Sequence, residues 1–204
     1  MKLPNIGLQV LVCALVVLGG SASARAQDLP AGEVSAGWRL LNIPDTFGFD
    51  DSQTFPLGWY ADVSGNLSRV FAVVGEVSGN YKSFDDDSQF GPQVDVSVSV
   101  NVHTFMGGIR ASGRQKPRFV PFAHALFGLA RGSGTVEGHA TVGGRTIDIN
   151  ESESASDFAF DAGGGVNFAL TDRVGVRVGA SYLRVGGSDG GNAFRFGVGA
   201  VIPF

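Results

Sequence analysis

The sequence predicts an all-β protein: an eight-stranded antiparallel up-and-down transmembrane β-barrel preceded by a cleaved signal peptide. Three observations point there. Apolar residues beyond the first 26 recur with a period of two almost everywhere, and no stretch carries a helical period with caps. The alternating segments number eight, an even count. Tight turns alternate with longer connections along the chain, as closed barrels with one short-turn rim require.

The first 26 residues stand apart. Lys2 gives a positive start, "VLVCALVVL" (10–18) is an apolar run too short to cross a bilayer as a helix, and "ARA" (24–26) fits a small-x-small cleavage site. Residues 1–26 are therefore read as a signal peptide and residues 27–204 as one barrel domain. Cys13, the single cysteine among 204 residues, lies inside the apolar run, so the exported part has no disulfide to hold it. Lys2 and Arg25 leave with the signal. Basic residues fall from 15 to 13 against 19 acidic ones, a net charge of −6, which argues against nucleic acid as a partner. Charged residues make up only 17% of the chain, while 31 Gly and 16 Phe suit tight turns and a crowded sheet.

The strands are read, in order, at 33–43, 57–67, 70–83, 94–112, 119–136, 157–170, 174–186 and 193–204. The first connection, "PDTFGFDDSQTFP" (44–56), is long and acidic, and the second is a tight turn around "NLSR" (66–69). "FDDDSQFGPQ" (84–93) is again long and acidic, and "GRQKPR" (113–118) is short and basic. The fifth is read as the longest loop and contains "GRTIDINESESAS" (144–156). "TDR" (171–173) is tight and "GGSDGGN" (186–192) is Gly-rich. The short turns and both ends of the barrel domain then share the periplasmic side. The apolar phase changes within 94–112, which makes that strand the least regular.

Alternation also assigns the faces. One face of 157–170 carries Phe158, Phe160, Val166 and Phe168, and the other carries Asp161, Gly163, Gly165 and Asn167. The second faces are made of Gly, Ala, Ser and Asn with isolated charges. That is poor as a soluble surface, which would be rich in Lys and Glu, and suits the packed interior of a narrow barrel. The Phe/Val face then lies in lipid. The interior receives Arg39, Asp62, Glu76, Arg110, His124, Asp161, Arg177 and Arg195, both signs in similar number. A ladder of ion pairs is expected, with Arg39 and Asp157 as candidates for the wet rims. Trp38, Trp59, Tyr81, Phe158, Tyr182 and Phe194 are placed towards the outer interface, and Phe119, Phe168 and Phe204 near the periplasmic one.

"GWRLLN", "FMGGIRAS", "PFAHALFGLARGSG", "FALTDRVGVRVGASYL" and the final "FRFGVGAVIPF" together resemble the small eight-stranded outer-membrane β-barrel proteins, OmpA-like in topology. The resemblance covers the whole of 27–204. It implies residence in the outer membrane of a Gram-negative bacterium among lipid and lipopolysaccharide. It also implies that Phe204, an aromatic ending an alternating strand, is the insertion signal read by the outer-membrane assembly machinery. The family includes tethers, adhesins, narrow pores and some enzymes, so it sets no single activity.

No H-E-x-x-H, paired-Cys or phosphate-loop pattern is present, and no catalytic, cofactor or metal site is expected. His103 with Ser97, Ser99 or Asp95 is the one grouping that imitates a rim enzyme. "DDD" (85–87) and "ESES" (151–154) read as solvated loops that could meet divalent cations. The sequence thus favours a monomeric, non-enzymatic surface protein on a charge-plugged barrel. The alternative is a narrow porin-like channel for small solutes.

Overall fold

The computed structural model describes residues 29–44, 52–85, 94–114, 118–142, 145–187 and 190–204. The signal peptide read at 1–26 and most of the acidic 84–93 connection lie outside them. Among the described residues nine strands form: β1 (Gly32–Ile43), β2 (Gln53–Phe55), β3 (Leu57–Asn66), β4 (Phe71–Asp85), β5 (Val94–Ser112), β6 (Phe119–Val142), β7 (Arg145–Ala169), β8 (Gly175–Val185) and β9 (Asn192–Pro203). From β3 to β9 each pairs antiparallel with the next, and β1 pairs with both β3 and β9, closing the cylinder. The seam runs from Glu33↔Pro203 to Asn42↔Phe194. It ends with Phe204 N–H donating to Gly32 O at 3.0 Å and Gly32 N–H donating to Phe204 O at 3.1 Å.

The barrel is eight-stranded because β2 and β3 are one barrel strand with an interruption. β1 pairs with β3 up to Trp38↔Trp59 and resumes with β2 at Leu41↔Phe55. Between these points Arg39 and Leu40 oppose three residues, Pro56, Leu57 and Gly58, so the pairing shifts by one as at a β-bulge. Pro56 has no N–H to give to the ladder, which makes this a fitting place for it. Side chains serve the displaced carbonyls. Trp38 Nε1 donates to Pro56 O at 2.7 Å, and Asn80 Nδ2 donates to Arg39 O at 3.0 Å. Residues 53–55, read from sequence as loop, are therefore strand.

A larger correction concerns "GRTIDINESESAS", read as the longest loop. β6 and β7 are 24 and 25 residues long and remain paired to Val142↔Arg145. About 9–11 residues suffice to cross the membrane. Apolar-polar alternation before 142 and after 145 allows the ladder to continue. With β5 and the end of β4, these strands make a sheet that projects beyond the barrel, called the blade here.

The blade explains the phase change in β5. Within the barrel Phe105 and Ile109 are exposed on the outer face, and Thr104, Met106 and Arg110 are buried inside. Beyond His103 the outward positions become Asn101, Ser99 and Ser97, while Val102 and Val100 pack against the interior apolar cluster. The outward face changes from apolar to hydroxyl-bearing where lipid gives way to water. β7 changes at the same level, from Phe158 to Ser156, Ser154 and Ser152. Phe158 and Phe168 are ten residues apart, about 33 Å of strand, which at the usual barrel tilt gives an apolar band about 25 Å tall.

The opposite rim is built from tight turns. Ser68 Oγ accepts from Val70 N–H and Phe71 N–H at 3.2 and 3.0 Å. Thr171 Oγ1 does the same for Arg173 N–H and Val174 N–H at 3.2 and 3.1 Å. A hydroxyl that accepts from the N–H groups two and three residues on thus fixes both turns by one device.

Candidate functional site in the barrel interior

Inward-facing positions of all eight barrel strands build the interior in layers. At the periplasmic end, Glu33 Oε1 accepts from Arg114 Nη2 at 2.9 Å, and Arg114 also donates to Asn66 Oδ1 at 2.9 Å. Next comes Asp62, which receives Arg177 Nη1 at 2.7 Å, Arg110 Nη2 at 3.1 Å and the Ser35 hydroxyl. Arg177 further donates to Glu33 Oε2 at 2.9 Å and Asn167 Oδ1 at 2.8 Å. The Phe122 ring lies against two of these cations, with the Arg110 and Arg177 guanidinium carbons 5.2 and 5.1 Å from its centroid.

A second ionic layer lies towards the outside. Arg39 meets Glu76 through two parallel bonds, Nη1 to Oε1 and Nη2 to Oε2 at 2.9 Å, and stacks over Tyr60 at 4.4 Å. Arg195 Nη2 lies 2.6 Å from Asp161 Oδ2 and 3.4 Å from Glu76 Oε1. His124 Nε2 is 2.8 Å from Asp161 Oδ1. Bidentate and multiply bonded guanidiniums are the geometry that can offset removal of such charges from water.

An apolar layer covers the ions on the outer side. Leu41, Phe55, Met106, Leu126 and Leu183 are all buried, with Ala130, Ala159 and Ala193 between them. The described residues leave a space of about 30 Å³ between the ionic layers and an open recess of about 580 Å³ at the periplasmic mouth.

The structure brings the eight residues singled out from sequence into these two layers. Arg39 is not at a wet rim: it is 7% exposed. Sequence reasoning missed Glu33, Ser35 and Arg114. Parity was the available signal for the first two, since Glu33 and Ser35 share the inward phase of Arg39. Arg114 reaches inward from a turn, where alternation gives no direction.

His103 faces outward, away from this interior. Trp59 Nε1 donates to Tyr81 Oη at 3.0 Å, and Tyr81 Oη lies 3.1 Å from His103 Nε2. Ser99 is four residues along the same strand, about 13 Å away, and Ser97 is further still. His103 therefore does not form a catalytic pair with either serine. Among the described residues no group of three or more His, Cys, Asp or Glu could hold a metal ion.

Buried charges inside, exposed Phe, Leu and Val outside and a closed sheet define an integral membrane β-barrel, because closure pairs every backbone group within lipid. The chain belongs to the outer membrane protein beta-barrel domain family, which it matches over residues 12–201. It resides in the outer membrane of a Gram-negative bacterium. No curated protein matches it. Among solved structures it is similar to Ail, the attachment invasion locus protein of Yersinia pestis, in complex with the heparin analogue sucrose octasulfate. That match has 18% identity and a TM-score of 0.56, and covers 85% of this chain and 99% of that one. It is also similar to Neisserial surface protein A, with 11% identity, a TM-score of 0.53, and 85% and 97% coverage. Identities this low establish the shared fold alone.

Proposed function

We propose that the protein is a non-enzymatic, monomeric outer-membrane scaffold with a sealed lumen, and that the blade is its interaction surface. One observation carries this reading: the blade is an unbroken ladder whose β7 edge stands unpaired among the described residues. All β6–β7 pairs from Phe119↔Phe168 to Val142↔Arg145 keep one register, without a bulge. β8 accompanies β7 only from Ala159 onward, so among the described residues nothing pairs with the outer edge of 145–157. That edge carries charges but no Pro, so its backbone groups are able to add a strand from another chain whose side chains match those charges. Exposed Glu151 and Glu153 beside it favour a basic partner. The anionic ligand named for Ail therefore does not transfer to this blade on the strength of the shared fold.

At the foot of the blade, exposed Arg131 and Arg184 stand at the level of Tyr81, His103 and Tyr182. Cations just outside an aromatic belt suit lipopolysaccharide phosphates, which supports lipid and lipopolysaccharide as constant neighbours. The two ionic layers and the apolar layer support a closed lumen over a porin-like channel.

The test has two arms. Folded protein in planar bilayers is expected to pass no current, and discrete conductance steps would replace the scaffold reading with the channel. Bacteria carrying a blade shortened between Gly132 and Ala155 are compared with wild type for attachment to surfaces coated with basic protein. Attachment is expected to fall while the barrel still shifts in mobility on a detergent gel after boiling. Unchanged attachment would remove the blade's role and leave the sealed barrel standing.

A further inference from the structure

We infer that the outward face of the blade binds the sugar of lipopolysaccharide anchored in the same leaflet. The register orders this face in rows. Val77↔Phe105↔Leu129↔Phe158 is apolar and exposed, and marks the lipid wall. Two residues further out along each strand, His103↔Arg131↔Ser156 take the same phase. Tyr81↔Asn101↔Ser133↔Ser154 follow, and then Ser83↔Ser99↔Thr135↔Ser152. The three polar rows span about 14 Å across the strands and about 13 Å along them. Arg131 brings the one permanent charge in these rows. Charge is sorted between the two faces of the sheet. In "ESESAS" (151–156) both Glu share the inward phase of Asp157, and all three Ser share the outward phase of Phe158. Acidic residues share the outward phase only from the next register row on, Asp85↔Ser97↔Glu137. A chain with 19 acidic against 15 basic residues thus keeps carboxylates off the rows next to the lipid. Water alone does not ask for this, because a carboxylate is hydrated equally well on either side of a sheet that stands in water. An anionic neighbour on one side does.

Position and chemistry choose the occupant. The rows continue the lipid-facing wall on the same strands, so they stand against whatever rises above the acyl chains of the outer leaflet. In a Gram-negative outer membrane that is the phosphorylated sugar of lipopolysaccharide. Sugar hydroxyls both donate and accept, and Ser, Thr and Asn side chains do the same. These short side chains lose little rotamer freedom on contact. Tyr81 and His103, edge to face at 5.5 Å, offer ring surface to sugar C–H groups. Arg131, 3.4 Å from Ser154 Oγ, offers its fork to an anionic group on the sugar. Contacts between proteins are depleted in Ser, which disfavours a protein on this face. The inference rests on the lipopolysaccharide part of the proposed function and is independent of the β7 edge.

Folded protein in three lipid nanodiscs tests the site: phospholipid alone, phospholipid with lipid A, and phospholipid with lipopolysaccharide carrying its full core sugar. Magnetic resonance follows the Thr135 methyl and Asn101 side-chain amide on the outward face. It also follows the Val136 methyl on the inward face and the Arg131 and Arg184 side chains at the foot. Lipid A is expected to move the arginine signals alone. The core sugar should further shift Thr135 and Asn101 and leave Val136 in place. Thr135 and Asn101 unmoved by the core would overturn the sugar site and leave the phosphate reading standing. Unmoved arginines beside a shifted Thr135 would remove the phosphate reading and leave the sugar site. Equal shifts at Thr135 and Val136 also overturn the inference. Ser133→Glu with Ser154→Glu places carboxylates on the face, and should erase the core-dependent shifts while the heat-dependent gel shift remains. Core-dependent shifts that survive this change overturn the site. If the variant does not fold, the wild-type contrast between Thr135 and Val136 decides. Core sugar freed of its lipid, added at the same concentration to phospholipid discs, should shift nothing, because anchoring supplies the local concentration. Equal shifts from the free sugar would overturn the anchored partner in favour of a soluble glycan.

Discussion

Asp62 and Glu76 are direct cross-strand partners, both face the lumen and both are buried, yet they share no cation. Asp62 takes Arg110 and Arg177, whereas Glu76 takes Arg39 and Arg195. Like charges opposite each other destabilise a sheet unless each is separately compensated. The division of the arginines into two sets provides that compensation and gives the interior its two layers.

Removing one carboxylate should therefore be expensive. Glu76→Gln leaves the buried Arg39 guanidinium without its charged partner and is expected to cost about 3–5 kcal/mol. Replacing both members with apolar residues, Arg39→Met with Glu76→Leu, should recover most of that loss, since Arg195 keeps Asp161. Urea unfolding in lipid vesicles, followed by Trp fluorescence, measures both. A double variant as unstable as Glu76→Gln would show that the pair does more than neutralise charge.

The apolar layer should contribute stability without being the sole seal. Leu126 is 1% exposed, so Leu126→Ala is expected to cost about 2–5 kcal/mol. The ionic layers beneath remain, and bilayer recordings of this variant should stay silent. Current through Leu126→Ala would place the whole barrier in the apolar layer.

Asn80 holds the interruption at Pro56 together. Asn80→Ala leaves the Arg39 carbonyl without its side-chain donor, at a site where Asn80 itself is 2% exposed. The expected loss is about 1–3 kcal/mol. Equal unfolding midpoints for wild type and Asn80→Ala would mean that the carbonyl finds another donor.

Two glycines should respond oppositely to Val. A Cβ on Gly165 would sit 2.1 Å from Val178 O and 3.0 Å from the Phe122 ring. Gly165→Val is therefore expected to prevent closure, seen as loss of the heat-dependent gel shift. Gly132, at the foot of the blade, has nothing within 4 Å of the same position. Gly132→Val should keep the shift.

Much of this architecture is legible in the chain. A period of two is local, so it reveals each strand and the face each side chain takes. It placed Asp62, Glu76, Asp161, Arg177 and Arg195 on the inward side without reference to any partner. It failed where local pattern does not carry the information. Residues 145–156 are mostly polar on a strand that stands in water, and water-facing strand and loop have similar composition. Residues 53–55 became strand because β1 had an open flank beyond the shift at Pro56.

By itself, then, the sequence determined an eight-stranded barrel, its lipid and lumen faces, and the set of charges inside. The tertiary structure decided which charges meet. Arg177 and Glu33 are 144 residues apart, and Arg177 and Ser35 are 142 apart. They touch because closure brings β1 round to β9 and sets how far each strand slides past the next. Alternation states which way a side chain points but not its height in the barrel, and that height separates the layer of Asp62 from the layer of Glu76.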